Sequence, residues 1–181
     1  MTRFWSKSLI RDAALIVALG CTFFLGYRHY LQSLLGPNET RPRVGDVLEP
    51  FDAIDAEGKL VRVDPTTLSK LRVVMVFSPT CGQCAEVAPQ WAKVYGERSS
   101  SNTSFLGVSL GDVQTTQSFV AAYGLSFPVV AAVDRRKAEA ACKLSGWPVI
   151  IVVDEQGRVM ERWIGVLNED ELRALQELVT R

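Results

Sequence analysis

The sequence holds a single histidine, His29, and only four cysteines in 181 residues. A structural zinc site takes four ligands, usually from two closely spaced Cys or His pairs. Cys81 and Cys84 form one such pair, and no second pair exists, because Cys21 and His29 lie in or beside an apolar N-terminal run and Cys142 stands alone. An excess of charge of either sign is missing too: 20 Lys and Arg balance 20 Asp and Glu. With no basic stripe along the chain, the electrostatic footprint of a nucleic-acid binder is absent. The basic triplet Arg135-Arg136-Lys137 reads as the solvated start of a helix. There is no internal repeat and no low-complexity tract. A chain of this length that is 48% hydrophobic and 22% charged suits one globular domain with a short apolar appendage.

What the sequence does have is a short redox arrangement. The apolar run Val73-Val74-Met75-Val76-Phe77 stops at Ser78-Pro79, Cys81 and Cys84 follow with two residues between them, and a helical pattern runs from Ala85 to Tyr95. A strand, a tight turn and a helix place Cys81 at a helix N-terminus, where unpaired N–H groups and the macrodipole favour a thiolate. Cys84 falls one turn on, on the same helix face, within reach of a disulfide. Exchange chemistry needs this pairing of an accessible attacker with a shielded neighbour that releases the mixed disulfide. A static staple closing so short a loop would remove little unfolded-state entropy.

Upstream, Ala13 to Tyr27 carries no charge. These about 15 residues fall short of the roughly 20 that cross a bilayer squarely, but Arg11 and Arg28 can snorkel, and Trp5, Tyr27 and Tyr30 suit the interface. No small-x-small cleavage site follows, and Ala18-Leu19-Gly20-Cys21 half resembles a lipoprotein site. The expectation is an uncleaved signal anchor: a cytoplasmic tail over 1–12, a transmembrane helix over 13–30, a linker over 31–44 and the folded domain over 45–181. Asn38-Glu39-Thr40 and Asn102-Thr103-Ser104 match the glycosylation sequon.

Within the domain, Phe51–Asp55 and Leu60–Val63 flank a hairpin signal at Ala56–Lys59. Asp64-Pro65-Thr66-Thr67 starts a short helical turn. Val73–Phe77 reads as a central strand buried on both faces. The helix after Cys84 carries Val87, Trp91 and Val94 inward and contains Pro89, which should kink it because its missing N–H leaves the Ala85 carbonyl unpaired. A strand at Phe105–Leu110, a helix at Thr115–Tyr123 with Phe119 and Ala122 inward, a strand from Phe127 and a helix at Arg135–Leu144 follow. Val149–Val153 and Val159–Trp163 form a second hairpin about Asp154–Gly157. Asn168 caps a last helix, Glu169–Val179, with Glu171 in the capping-box position. The fold class is α/β: a mixed sheet with helices on both faces.

Cys81-Gly82-Gln83-Cys84, Pro89 within its helix, and Gly146-Trp147-Pro148 before a strand–turn–strand–helix finish resemble the thioredoxin superfamily. The N-terminal hairpin and the extra helix before Phe127-Pro128 narrow the resemblance to membrane-anchored, TlpA/ResA-like thiol–disulfide oxidoreductases of bacteria, over Gly45 to Arg181. Ser78-Pro79-Thr80-Cys81 also resembles the accessory thioredoxin-like proteins of methylamine utilisation. The resemblance implies a thioredoxin-like three-layer fold, a redox disulfide between catalytic Cys81 and Cys84, and a cis Pro148. It also implies a client groove formed by Thr80, Trp147 and Pro148. Neither a cofactor nor a metal is expected. The partners the resemblance implies are a client protein carrying a disulfide or dithiol and a membrane electron donor. The place it implies is the bacterial inner membrane with the domain in the periplasm.

Departures from that pattern are local. Thr80 stands where the superfamily usually has Trp, and Gln83 where the narrower group commonly has Pro. Met75 replaces the buried acid that accepts a proton, and Val87 stands where the narrower group often has Glu, with Glu86 turned about 100° away on the helix. Glu86 therefore reads as a solvated first-turn acid, and Cys142 as a packed thiol. Two other functions compete: an assembly factor that binds apo-protein or metal through the same dithiol, and a peroxidase. The peroxidase motif Pro-x-x-x-Thr-x-x-Cys would need Pro and Thr at Val74 and Ser78, or at Phe77 and Cys81, and neither fits.

Overall fold

Side chains alternate across a strand, and this alternation divides the core in two. In β3 (Leu71–Phe77), Val73, Met75 and Phe77 point to one face of the sheet and Val74 and Val76 to the other, and all five are buried. A strand apolar on both faces belongs in the middle of a covered sheet. The computed structural model describes residues 12, 17, 20–28, 41–66, 71–97 and 103–180, and β3 lies there between two partners.

The remaining strands are β1 (Phe51–Ile54), β2 (Leu60–Val63), β4 (Thr103–Ser109), β5 (Val129–Ala132), β6 (Val149–Asp154) and β7 (Val159–Ile164). They form one mixed sheet in the order β2-β1-β5-β4-β3-β6-β7. β3, β4 and β5 run parallel; β6 is antiparallel to β3, and the β1–β2 hairpin extends the other side antiparallel to β5. On one face lie α2 (Gly82–Glu97), α3 (Val113–Tyr123) and α5 (Glu169–Thr180), burying Val87, Trp91, Val94, Phe119, Leu175 and Val179. On the other lies α4 (Arg135–Ala141), burying Ala138 and Ala141 beside Leu48 and Phe51. Each large apolar side chain buried in this way contributes about 1.5–3 kcal/mol.

Local signals fix the element ends. Asn168 Oδ1 accepts from the Glu171 N–H at 2.9 Å, and Glu171 Oε2 accepts from the Asn168 N–H at 2.9 Å, the reciprocal capping box the sequence predicts. Asp154 Oδ1 accepts from the N–H groups of Gln156 and Arg158, both at 2.9 Å, and Gly157 supplies φ 71° to close the β6–β7 turn. α2 runs unbroken through Pro89, which is exposed.

Two expectations need correction. α3 begins at Val113, capped by Asp112; its buried residues are Thr116 and Phe119, and Ala122 is exposed. α4 ends at Ala141, short of Leu144, with Cys142 at its C-cap. Asp64 accepts from both the N–H (2.9 Å) and the hydroxyl (2.7 Å) of Thr66, closing a turn at Pro65–Thr66; Thr67, the rest of the helical turn expected there, lies outside the described residues.

Contacts divide the chain into two compact units, Met1–Glu39 and Thr40–Arg181. In the first, residues 20–28 are helical (α1). Among the described residues no helix is long and apolar enough to cross a membrane, and residues 13–16, 18, 19, 29 and 30 of the segment 13–30 lie outside them, as do Asn38 and Asn102 of the two sequons.

Candidate active site

β3 delivers the chain to one end of the sheet, where Ser78-Pro79-Thr80 turns it into α2. The Cys81 N–H donates to the Ser78 carbonyl at 3.1 Å, and the hydroxyls of Ser78 and Thr80 lie 3.1 Å apart. The Cys81 carbonyl accepts the first helical bond, from the Ala85 N–H at 3.2 Å. Cys81 is thus the N-cap residue, next to first-turn N–H groups that have no helical partner. The loop after β4 buttresses the turn: the Leu110 N–H donates to the Phe77 carbonyl at 2.8 Å, and a Cβ on Gly111 would stand 2.8 Å from the Pro79 ring.

The two thiols are free and differ sharply in environment. Cys81 is half-buried, whereas Cys84 is fully buried in the cluster of Met75, Phe77, Val87, Trp91 and Ile150. Burial pushes the Cys84 thiol up from 9.0 to about 12. A backbone hydrogen bond with Ser78 offsets part of this, while the hydrogen bond and charge of the neighbouring Cys81 side chain add to it. No carboxylate figures among these influences. Met75 is fully buried, as is Val87, and Glu86 is exposed.

The Trp147–Pro148 peptide bond is cis. Pro148 is buried, and its carbonyl accepts from the Gly165 N–H at 2.8 Å, fixing the loop to the end of β7. Trp147 is half-buried and packs against both core clusters, one of which also takes Cys81. Thr80 is exposed beside Cys81. Cys142 is buried, and burial alone pushes it up to about 12. Two contacts escape sequence reasoning: Gly111 against Pro79, and Arg135, whose guanidinium carbon lies 4.4 Å from the Trp147 ring centroid. Nothing in the sequence marks Gly111 apart from other loop glycines, and the Arg135–Trp147 pair spans two elements. A cavity of about 620 Å³ between α3, β5 and the β1–β2 turn is lined by Ile54, Tyr95, Val120 and Phe127 among others, and by none of these site residues.

Comparison with known proteins follows the same lines. The model of the AhpC/TSA family matches residues 44–173. "Thiol-disulfide oxidoreductase ResA" of Halalkalibacterium halodurans is 28% identical over 180 residues, covering 98% of this chain and 95% of that protein. The protein of the same name from Bacillus subtilis is 26% identical over 175 residues, covering 96% and 93%. The crystal structure of the thioredoxin domain of a thiol-disulfide oxidoreductase from Bacteroides vulgatus superposes with a TM-score of 0.64 at 20% identity, covering 76% of this chain and 99% of that one. The fold is therefore thioredoxin-like.

Proposed function

Since the chain belongs to the AhpC/TSA family, we propose that it is a protein thiol–disulfide oxidoreductase of the membrane-tethered kind, working through Cys81 and Cys84. The observation that carries this is the asymmetry of two thiols one helical turn apart: Cys81 open at the N-cap, Cys84 sealed in the core.

In the reducing direction, the Cys81 thiolate attacks one sulfur of a client disulfide. The client S–S bond breaks, a Cys81–client disulfide forms, and the other client sulfur leaves as a thiolate that takes a proton. Cys84 then loses its proton and attacks the Cys81 sulfur. The mixed disulfide breaks, the second client thiol leaves, and the Cys81–Cys84 disulfide remains, so two electrons have passed to the client. A membrane dithiol donor restores the pair. Oxidation of a client dithiol is the same sequence reversed. With the resolving thiol pushed up to about 12, the second step needs a base. Without a buried acid at Met75 or Val87, water or the departing client thiolate supplies it. The cis-Pro148 loop, with Trp147 and Thr80, holds the client backbone in strand-addition style.

Residues 13–30 anchor the protein in a bacterial inner membrane with the domain in the periplasm, where clients in cytochrome or metalloenzyme maturation would need reduction. The uncharged run and a dithiol suited to an oxidising compartment support this placement. A reporter fused after Arg181 should be active on the periplasmic side; activity confined to the cytoplasm refutes it.

Trapping tests the exchange itself. Cys84→Ser should accumulate a client adduct that survives non-reducing electrophoresis, Cys81→Ser should not, and Cys142→Ser should trap as the native sequence does. If Cys84→Ser gathers no disulfide-linked partner while the unmodified protein binds one non-covalently, the protein is an assembly factor instead.

A further inference from the structure

Arg135 opens α4 and lies over the ring of the residue that precedes the cis proline. Its guanidinium carbon is 4.4 Å from the centroid of the Trp147 ring, a cation–π contact. Its Nε donates to Glu139 Oε1 at 2.8 Å, one helical turn on. The guanidinium is thereby fixed in orientation by a stacked ring and by a carboxylate on one edge. The two terminal nitrogens make no hydrogen bond or ion pair with the described residues, and the side chain is 49% exposed. Arg136 and Lys137 are exposed in the same turn, so residues 134–139 carry three cations against the two carboxylates of Asp134 and Glu139.

A planar fork with one edge held and the other open is built to receive a second carboxylate. Resting on the exchange reading above, we propose that Arg135 is a specificity-determining residue: it selects clients with an acidic side chain flanking the reactive cysteine. A client strand laid along the Trp147 backbone brings the side chains beside its cysteine past the Trp147 indole and the guanidinium stacked on it. An acid there pairs with the open edge, and a Lys meets a like charge. Trp147 supplies the apolar wall and Arg135 the charge preference.

Three disulfide peptides that differ only in having Glu, Gln or Lys beside the cysteine test this, together with the small uncharged bis(2-hydroxyethyl) disulfide. The full-length protein should reduce the Glu peptide with a kcat/KM about fivefold above that for the Lys peptide, the scale of an exposed ion pair. The difference should reside in KM, because the contact forms on binding and persists through the transition state. It should shrink as salt is raised. Arg135→Gln should abolish the Glu-to-Lys ratio, Arg135→Lys should leave an intermediate ratio, and Arg62→Gln, on β2, should keep it whole. The ratio is internal to each variant, so a general loss of activity does not imitate the effect. A native protein with no preference, or an Arg135→Gln protein that keeps it, overturns the proposal while reduction of hydroxyethyl disulfide still upholds exchange. Failure to reduce any of the four substrates removes both.

Discussion

Native Cys84 should resist alkylation far more than its chemistry alone dictates. Its thiol is pushed from 9.0 to about 12, chiefly by burial. At pH 8 an ordinary thiol is about one-tenth thiolate, and one at about 12 is about one ten-thousandth, a thousandfold loss of the reactive form. A more basic thiolate is intrinsically more nucleophilic, with a Brønsted slope of about 0.4–0.5, which returns roughly 20-fold. About 50-fold remains, and the sulfur's burial in the core adds to it. The assay follows iodoacetamide labelling of the reduced protein at pH 8 by peptide fragmentation, natively and in urea. Cys84 should label at least about 50-fold more slowly in the native protein, on the same arithmetic. In Cys81→Ser the push from the neighbouring sulfur disappears, so half-maximal labelling of Cys84 should move to lower pH yet stay above 9.0, because burial is the largest cause. Native labelling within a few-fold of the urea rate, or a midpoint near 9.0, would refute the burial argument.

Alkaline stability follows from the same shifts. The folded-state values of Cys84 and Cys142 stand above the ordinary 9.0, so their protonated forms stabilise the fold below pH 9 and that contribution is lost as pH rises toward about 12. Between pH 9 and 10 each costs about 1 kcal/mol, and Cys142→Ala should flatten the pH slope of urea-unfolding free energy by that amount; an unchanged slope contradicts it. Gly111→Ala would set a methyl 2.8 Å from the rigid Pro79 ring and 3.0 Å from Thr115 Oγ1. It should cost about 1–3 kcal/mol and shift the dithiol's equilibrium with glutathione. Gly107→Ala, 2.8 Å from Val129 Cγ2, should cost stability with that equilibrium unchanged. Asn168→Ala should lower unfolding free energy by about 1 kcal/mol and leave exchange rates alone.

The sequence by itself determined what depends on chain neighbours. The doubly apolar β3, the placement of Cys81 and Cys84 one helical turn apart at a helix start, the Asp154–Gly157 turn and the Asn168–Glu171 box are all set within a few residues, by periodicity and by backbone groups that need partners. The cis Pro148 was legible only through the resemblance, since an X-Pro bond is seldom cis and nothing adjacent demands it. The rest required the sheet order. Cys84 is sealed because α2 lies on the face to which Met75 and Ile150 point, and β3 and β6, some 75 residues apart in sequence, pair there with Met75 opposite Ile150. Thr116 rather than Ala122 turns inward because α3 packs through Phe119 and through the Thr116 hydroxyl, which bonds Ser109 on β4 at 2.6 Å. Gly111 meets Pro79 because β4 lies beside β3, which leads into the dithiol turn, and Arg135, the first residue of α4, reaches Trp147 only in the folded chain. Such contacts join residues that are distant in sequence, and their side chains carry no mark of the meeting until the strands are laid in order.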